Sequence, residues 1–128
     1  MNARYVFRVR LRLEPDRPDV SLEPATVETV LSLEAPEPGT DGWRFFRDTL
    51  WRGELSDQQY GRQLAEEWLE QPVDVEEVDF RELQTDEAYF EALKEEIATD
   101  LEAFNAENVS EVLSKYLGSS IRVVGNGS

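Results

Sequence analysis

RYVFRVRLRL, residues 4–13, sets Tyr5, Phe7, Val9, Leu11 and Leu13 against Arg4, Val6, Arg8, Arg10 and Arg12 at a strict period of two. Only an extended strand sorts such a run onto two faces, because a helix would wind the arginines around every side. The segment is therefore expected to be a strand with one apolar and one basic face. Residues 14–25 hold three prolines and read as a loop. Residues 26–34 then alternate again, with Val27, Thr29, Leu31 and Leu33 inward and Glu28 and Glu34 on the other face. Two strands joined without a helix suggest an antiparallel pair, which would set the arginine stripe opposite those glutamates.

Further along, Pro36, Pro38, Gly39 and Gly42 mark a connection, after which residues 43–50 are read as a third strand. A helix is expected over 56–70. Ser56 and Gln59 would form its capping box, and Leu55 and Tyr60 a hydrophobic staple. Gln71 ends it, because it precedes Pro72 and is pushed out of helical geometry. Tyr60, Leu64, Ala65, Trp68 and Leu69 would be its buried face. Gly61 costs a helix about 1 kcal/mol relative to Ala, which points to a close approach there. Residues 73–83 are read as one strand with an irregular beginning. Thr85 is expected to cap a long helix over 86–104, with Phe90, Leu93, Ile97, Leu101 and Phe104 on one stripe. Asn108 and Glu111 should start a last helix that stops at Gly118, residues 121–124 should close the sheet, and 125–128 should fray. The order β-β-β-α-β-α-α-β gives an α+β fold, a mostly antiparallel sheet with helices packed on one face, in a single domain over 1–124.

Composition fixes the surroundings. Acids outnumber basic residues 28 to 13, a net charge of −15, yet 40% of the chain is hydrophobic, which is too apolar for a disordered acidic chain. Self-repulsion of this size destabilises a folded domain unless salt screens it, and at 1 M salt the Debye length is only about 3 Å. Of the 13 basic residues, all but Lys94 and Lys115 are arginine, a bias expected of a protein in a salt-rich cytoplasm. With no Cys and no His, disulfides, thiolate chemistry and the usual general base are excluded. The chain opens directly into charged alternation, and no stretch approaches the length of a membrane span, so a cytoplasmic protein with no membrane partner is expected. The charge also disfavours nucleic acid.

That charge is unevenly spread. Residues 1–52 carry eight Arg and nine acids, a net of −1, whereas 53–128 carry −14. Within the nearly neutral half, Arg44, Arg47 and Arg52 are interleaved with Trp43, Phe45, Phe46 and Trp51. Trp43, Arg44, Arg47, Trp51 and Arg52 are therefore the candidate binding residues, suited to cation–π contacts or to stacking on a base. The plainer reading makes the aromatics core and pairs the arginines with Glu28, Glu34, Asp41 or Asp48. Asp74, Glu76, Glu77 and Asp79 are read as a solvated face and not a metal site. No glycine loop suited to phosphate occurs, and serines without His or Cys lack a base. Neither a cofactor nor catalysis is expected.

Leu50, Trp51 and Arg52, within the run FRDTLWRGEL at 46–55, resemble the tripeptide that names the LWR-salt proteins, a small acidic haloarchaeal family. The resemblance extends over nearly the whole chain in length and acidity. It implies a haloarchaeal cytosolic source and no catalytic activity. The expected function is a binding or protein-interaction module that uses the arginine-aromatic sheet or an open sheet edge. Its partner would be another protein or a second copy, and recognition of RNA or a nucleotide is the alternative. Trp51, at the junction of third strand and first helix, is expected to anchor their packing, with Arg52 near the surface on a carboxylate or a main-chain carbonyl.

Overall fold

A computed structural model describes residues 2–12, 19–20, 26–69 and 74–124. At its centre lies β1 (Ala3–Arg12), the strand expected from the alternation, with β2 (Thr26–Glu34) antiparallel on one side and β5 (Asp74–Thr85) antiparallel on the other. A short β6 (Ile121–Val123) adds in parallel to β5, giving the order β2-β1-β5-β6. A parallel neighbour needs a crossover. It is supplied by α3 (Glu87–Ala98), a single 3-10 turn (Leu101–Phe104) and α4 (Val109–Tyr116). The fold is α+β with a mostly antiparallel sheet, as expected.

Tyr5, Phe7 and Val9 of β1 and Val75, Val78, Phe80 and Leu83 of β5 are buried on one face of this sheet, where the helices pack. The β5 residues are spaced three, two and three apart, which is why the sequence looked irregular there. Two bulges explain the spacing. Val6 pairs with Glu82 and Phe7 with Phe80, which leaves Arg81 extra. Arg10 pairs with Glu77 and Leu11 with Val75, which leaves Glu76 extra. Each added residue restores the apolar side chains to the covered face.

Residues 43–50 are not a third strand of the sheet. They form a turn, the five-residue helix α1 (Phe45–Thr49) and the two-residue β3 (Leu50–Trp51), which pairs with β4 (Glu54–Leu55) in a separate hairpin. The buried residues Trp43, Phe46 and Leu50 recur at intervals of three and four, the helical period, and Phe46 stacks on Phe104 at 5.6 Å. The alternation of aromatic and arginine masked this spacing.

Three helix boundaries also differ from expectation. The start of α2 (Gln58–Leu69) is capped by Asp57, whose Oδ1 accepts from the N–H of Gln59 and of Tyr60. Ser56 instead donates its hydroxyl to the Thr49 carbonyl, and Tyr60 is 45% exposed, so neither the capping box nor the staple forms. The close approach at Gly61 is present, since a Cβ there would lie 2.7 Å from Leu55 Cδ1. Asp86 caps α3 by accepting from the Tyr89 N–H, while Thr85 is the last residue of β5. The long helix breaks after Ala98. Asp100 leaves helical geometry at φ −146°, and Thr99 turns its hydroxyl onto the Glu96 carbonyl, the local competition by which such residues end helices. Asn108 caps α4 as expected, accepting from the Glu111 N–H. Leu13, most of the 14–25 connection, residue 70, Val73 and the 125–128 tail lie outside the described residues.

Candidate functional site

The open face of the sheet is ion-paired. Arg8 meets Asp79 at 2.6 Å, Arg10 meets Glu77 at 2.5 Å and Glu28 at 4.0 Å, and Arg12 meets Glu76 at 3.9 Å. Arg4 donates to the Gln84 amide oxygen at 3.2 Å. The stripe on β1 is thus matched mainly by β5, a strand distant in sequence, with β2 contributing Glu28. Asp79 holds the Arg8 guanidinium above its usual range through their hydrogen bond. Glu76, Glu77 and Asp79 of β5 therefore form a partnered face that is still open to solvent, while Asp74 is exposed, so the solvated face expected for the four acids is also an ion-paired one. Among the described residues no acidic cluster is arranged to hold a metal ion, and no helix is long and apolar enough to cross a membrane.

The five candidate residues separate into two groups. Trp43 is buried edge-on to Phe104 at 5.8 Å and belongs to the core. Arg44 lies 5.3 Å over the Trp43 ring and bonds Asp100 at 2.5 Å. Arg47 bonds Asp48 at 3.0 Å and the Ala103 carbonyl at 3.4 Å. These two arginines fasten α1 to the 3-10 turn, so the cluster of three arginines does not converge on a ligand.

Trp51 and Arg52 lie elsewhere, on the β3–β4 hairpin. Leu50 faces Leu55 and Trp51 faces Glu54, with Arg52 and Gly53 between them at φ 52° and 83°. Positive φ at both loop residues is the type I′ turn, whose twist matches that of the flanking strands. Its tip docks on the end of α4. Arg52 N–H donates to the Lys115 carbonyl at 2.8 Å and Gly53 N–H to the Tyr116 carbonyl at 3.0 Å, satisfying acceptors that a helix end leaves open. Gly118 accommodates the approach, since a Cβ there would lie 3.1 Å from the Arg52 carbonyl oxygen.

The tripeptide therefore divides its roles. Leu50 is the buried anchor. Trp51, expected in that role, is 45% exposed and stands edge-on to Tyr116 at 5.9 Å, because in a two-residue strand its neighbour already takes the inward side. The Arg52 guanidinium lies 5.8 Å from the Trp51 ring centre and Lys115 Nζ 5.9 Å. Lys115 is held by the Asn105 and Phe104 carbonyls at 3.0 and 3.3 Å. Arg52 has no carboxylate partner among the described residues. The result is an exposed indole with two cations within 6 Å of its ring centre, on a chain of net charge −15. Lys115 and Tyr116 escaped sequence reasoning. The available signal was a second lysine placed at the end of a well-capped helix.

A family model described as LWR-salt protein matches residues 1–127. No curated protein and no solved structure matches the chain.

Proposed function

The chain belongs to the LWR-salt protein family, and on that premise we propose that it is a non-catalytic protein-interaction module of a salt-rich, haloarchaeal cytoplasm, with Trp51, Arg52 and Lys115 as its contact surface. The observation that carries this reading is the exposed Trp51 with two cations beside its ring. Trp and Arg dominate binding hot spots, because a large rigid ring and a planar cation each gain much when a partner dries them. The chemistry fits an acidic protein surface, to which the rest of this molecule is repellent. The net charge and the scarcity of lysine support the salt-rich setting.

Recognition of RNA or a nucleotide is the second reading, and it rests on the same indole, on which a base would stack. It is the weaker one because Arg44 and Arg47 are already bonded, which leaves a backbone phosphate beside the indole, among the described residues, Arg52 and Lys115. The deciding experiment is capture from a lysate kept in multimolar KCl, with and without nuclease, by the wild-type chain and by Trp51→Ala and Arg52→Glu. Capture of a protein that survives nuclease and is lost in both variants, while both stay folded at the temperature of the assay, is the expected result. Undiminished capture by both variants would remove the hairpin tip from the interface, and nuclease-sensitive capture would transfer the surface to RNA.

A further inference from the structure

We propose that β2 is a dimerisation edge, pairing antiparallel with β2 of a second copy of this chain about a two-fold axis at Val30. The two edges of the sheet are treated differently by the fold. β6 is only three residues long, and where it does not cover β5 the Gln58 side chain takes both the N–H and the C=O of Val78, each at 2.8 Å. β2 is nine residues long and turns the N–H and C=O of every second residue away from β1. Among the described residues, none bonds to those groups. An edge left so is usually blunted by proline, lysine, shortness or a bulge. β2 has no proline, lysine or bulge, its charges are confined to Glu28 and Glu34, and it is rich in β-branched Thr and Val. Val30 at its midpoint is 65% exposed, and Val27 is exposed as well.

The sequence of the strand selects a second copy as the occupant. A two-fold axis perpendicular to the sheet keeps the charged face beside the charged face, so only self-pairings that match residues of like parity are allowed. Centred on Val30, all nine residues pair. Val30 meets Val30, Glu28 meets Ser32 and Glu34 meets Thr26, so no acid opposes an acid, while on the covered face Val27 meets Leu33. Centred on Leu31, Glu28 would oppose Glu34 twice, and like charges directly opposite are destabilising. Centred on Thr29, only the seven residues from Thr26 to Ser32 would pair, and Leu33 and Glu34 of each copy would have no opposite residue in β2. The edge also belongs to the half of the chain with net charge −1 rather than −14, where two copies approach with least repulsion.

Sedimentation of the full chain in multimolar KCl should show a dimer. Its register is read by cysteine scanning, which the absence of native cysteine permits. Val30→Cys places the two thiols across the axis and should give an oxidised dimer. Glu28→Cys alone separates them by four residues, roughly 13 Å along the strand, beyond the reach of a disulfide, and should give none. Combining Glu28→Cys with Ser32→Cys should restore the link. A monomer at every accessible concentration would overturn the proposal. So would a dimer that fails to link through Val30→Cys or that links through Glu28→Cys alone. Neither outcome touches the hairpin tip, so capture through Trp51 stands or falls by its own experiment.

Discussion

The tripeptide Leu50-Trp51-Arg52 shows how three adjacent residues take three roles. A side chain that is fully buried and one that is half exposed differ in what truncation costs, because only the first leaves a cavity. Leu50→Ala should lower stability by about 2–5 kcal/mol. Trp51→Ala should cost less than about 2 kcal/mol, since roughly half of the ring's burial is absent to begin with. Chemical denaturation in high salt of the two variants side by side checks the order, and a Trp51 variant weaker than the Leu50 one would mean that the indole is an anchor after all. Asp86 supplies a second test at this scale. Its carboxyl is held below the ordinary range chiefly by the Tyr89 N–H it accepts, and further by that of Asn2. A depressed carboxylate stabilises the fold at neutral pH, and that contribution is lost as pH falls through the folded value. Melting midpoints at pH 7 and pH 3 should therefore fall further for the wild-type chain than for Asp86→Asn, and equal falls would show the carboxylate to be idle.

At the scale of elements, the decisive features are the caps and bulges that set where each segment begins and how it faces. Asp57, not Ser56, holds the first N–H groups of α2. Asp57→Ala should then cost about 1 kcal/mol. Ser56→Ala removes only a hydroxyl bond between the hairpin and α1 and should cost less. Thermal melts of the two variants check this, and the reverse order would restore the capping box expected from the sequence. The same scale explains β5. A segment whose apolar residues stand three, two and three apart has no single period, and it became a long strand only because the regular alternation of β1 gave it a template and two bulges absorbed the misfit. Period two in β1 was legible because β1 itself carries no bulged residue and alternates without interruption.

Charge is the governing quantity for the whole molecule. Most acids of the carboxy-terminal half sit on helices and loops, whereas those of β5 lie on the open face, where Asp79 and Glu77 are matched with arginines of β1. Lowering KCl from multimolar to about 0.1 M lengthens the Debye length to roughly 10 Å, so acids on neighbouring helices begin to repel one another. The melting midpoint followed by circular dichroism should fall steeply over that range. A flat profile would contradict a salt-adapted protein. The ion pairs on the open face will not rescue stability at low salt, because exposed pairs each contribute only about 0–1 kcal/mol.

By itself the sequence determined the α+β class, the strands β1 and β2, the last helix with its Asn108 cap and Gly118 stop, the close approach at Gly61 and the family. These are all properties of side chains spaced two to four residues apart, which a local pattern records. Tertiary structure alone decided that Trp43, Phe46 and Leu50 wind as a helix against Phe104, and that the β1 arginines pair with β5. It also turned Trp51 outward, to stand with Arg52 beside Lys115 and Tyr116. Each of these depends on which distant segment arrives alongside, and interactions across sixty or seventy residues leave no periodicity to read. The candidate surface was half legible for that reason. Its hairpin half is contiguous in the chain, and its other half comes from the end of a helix brought there by the crossover between β5 and β6.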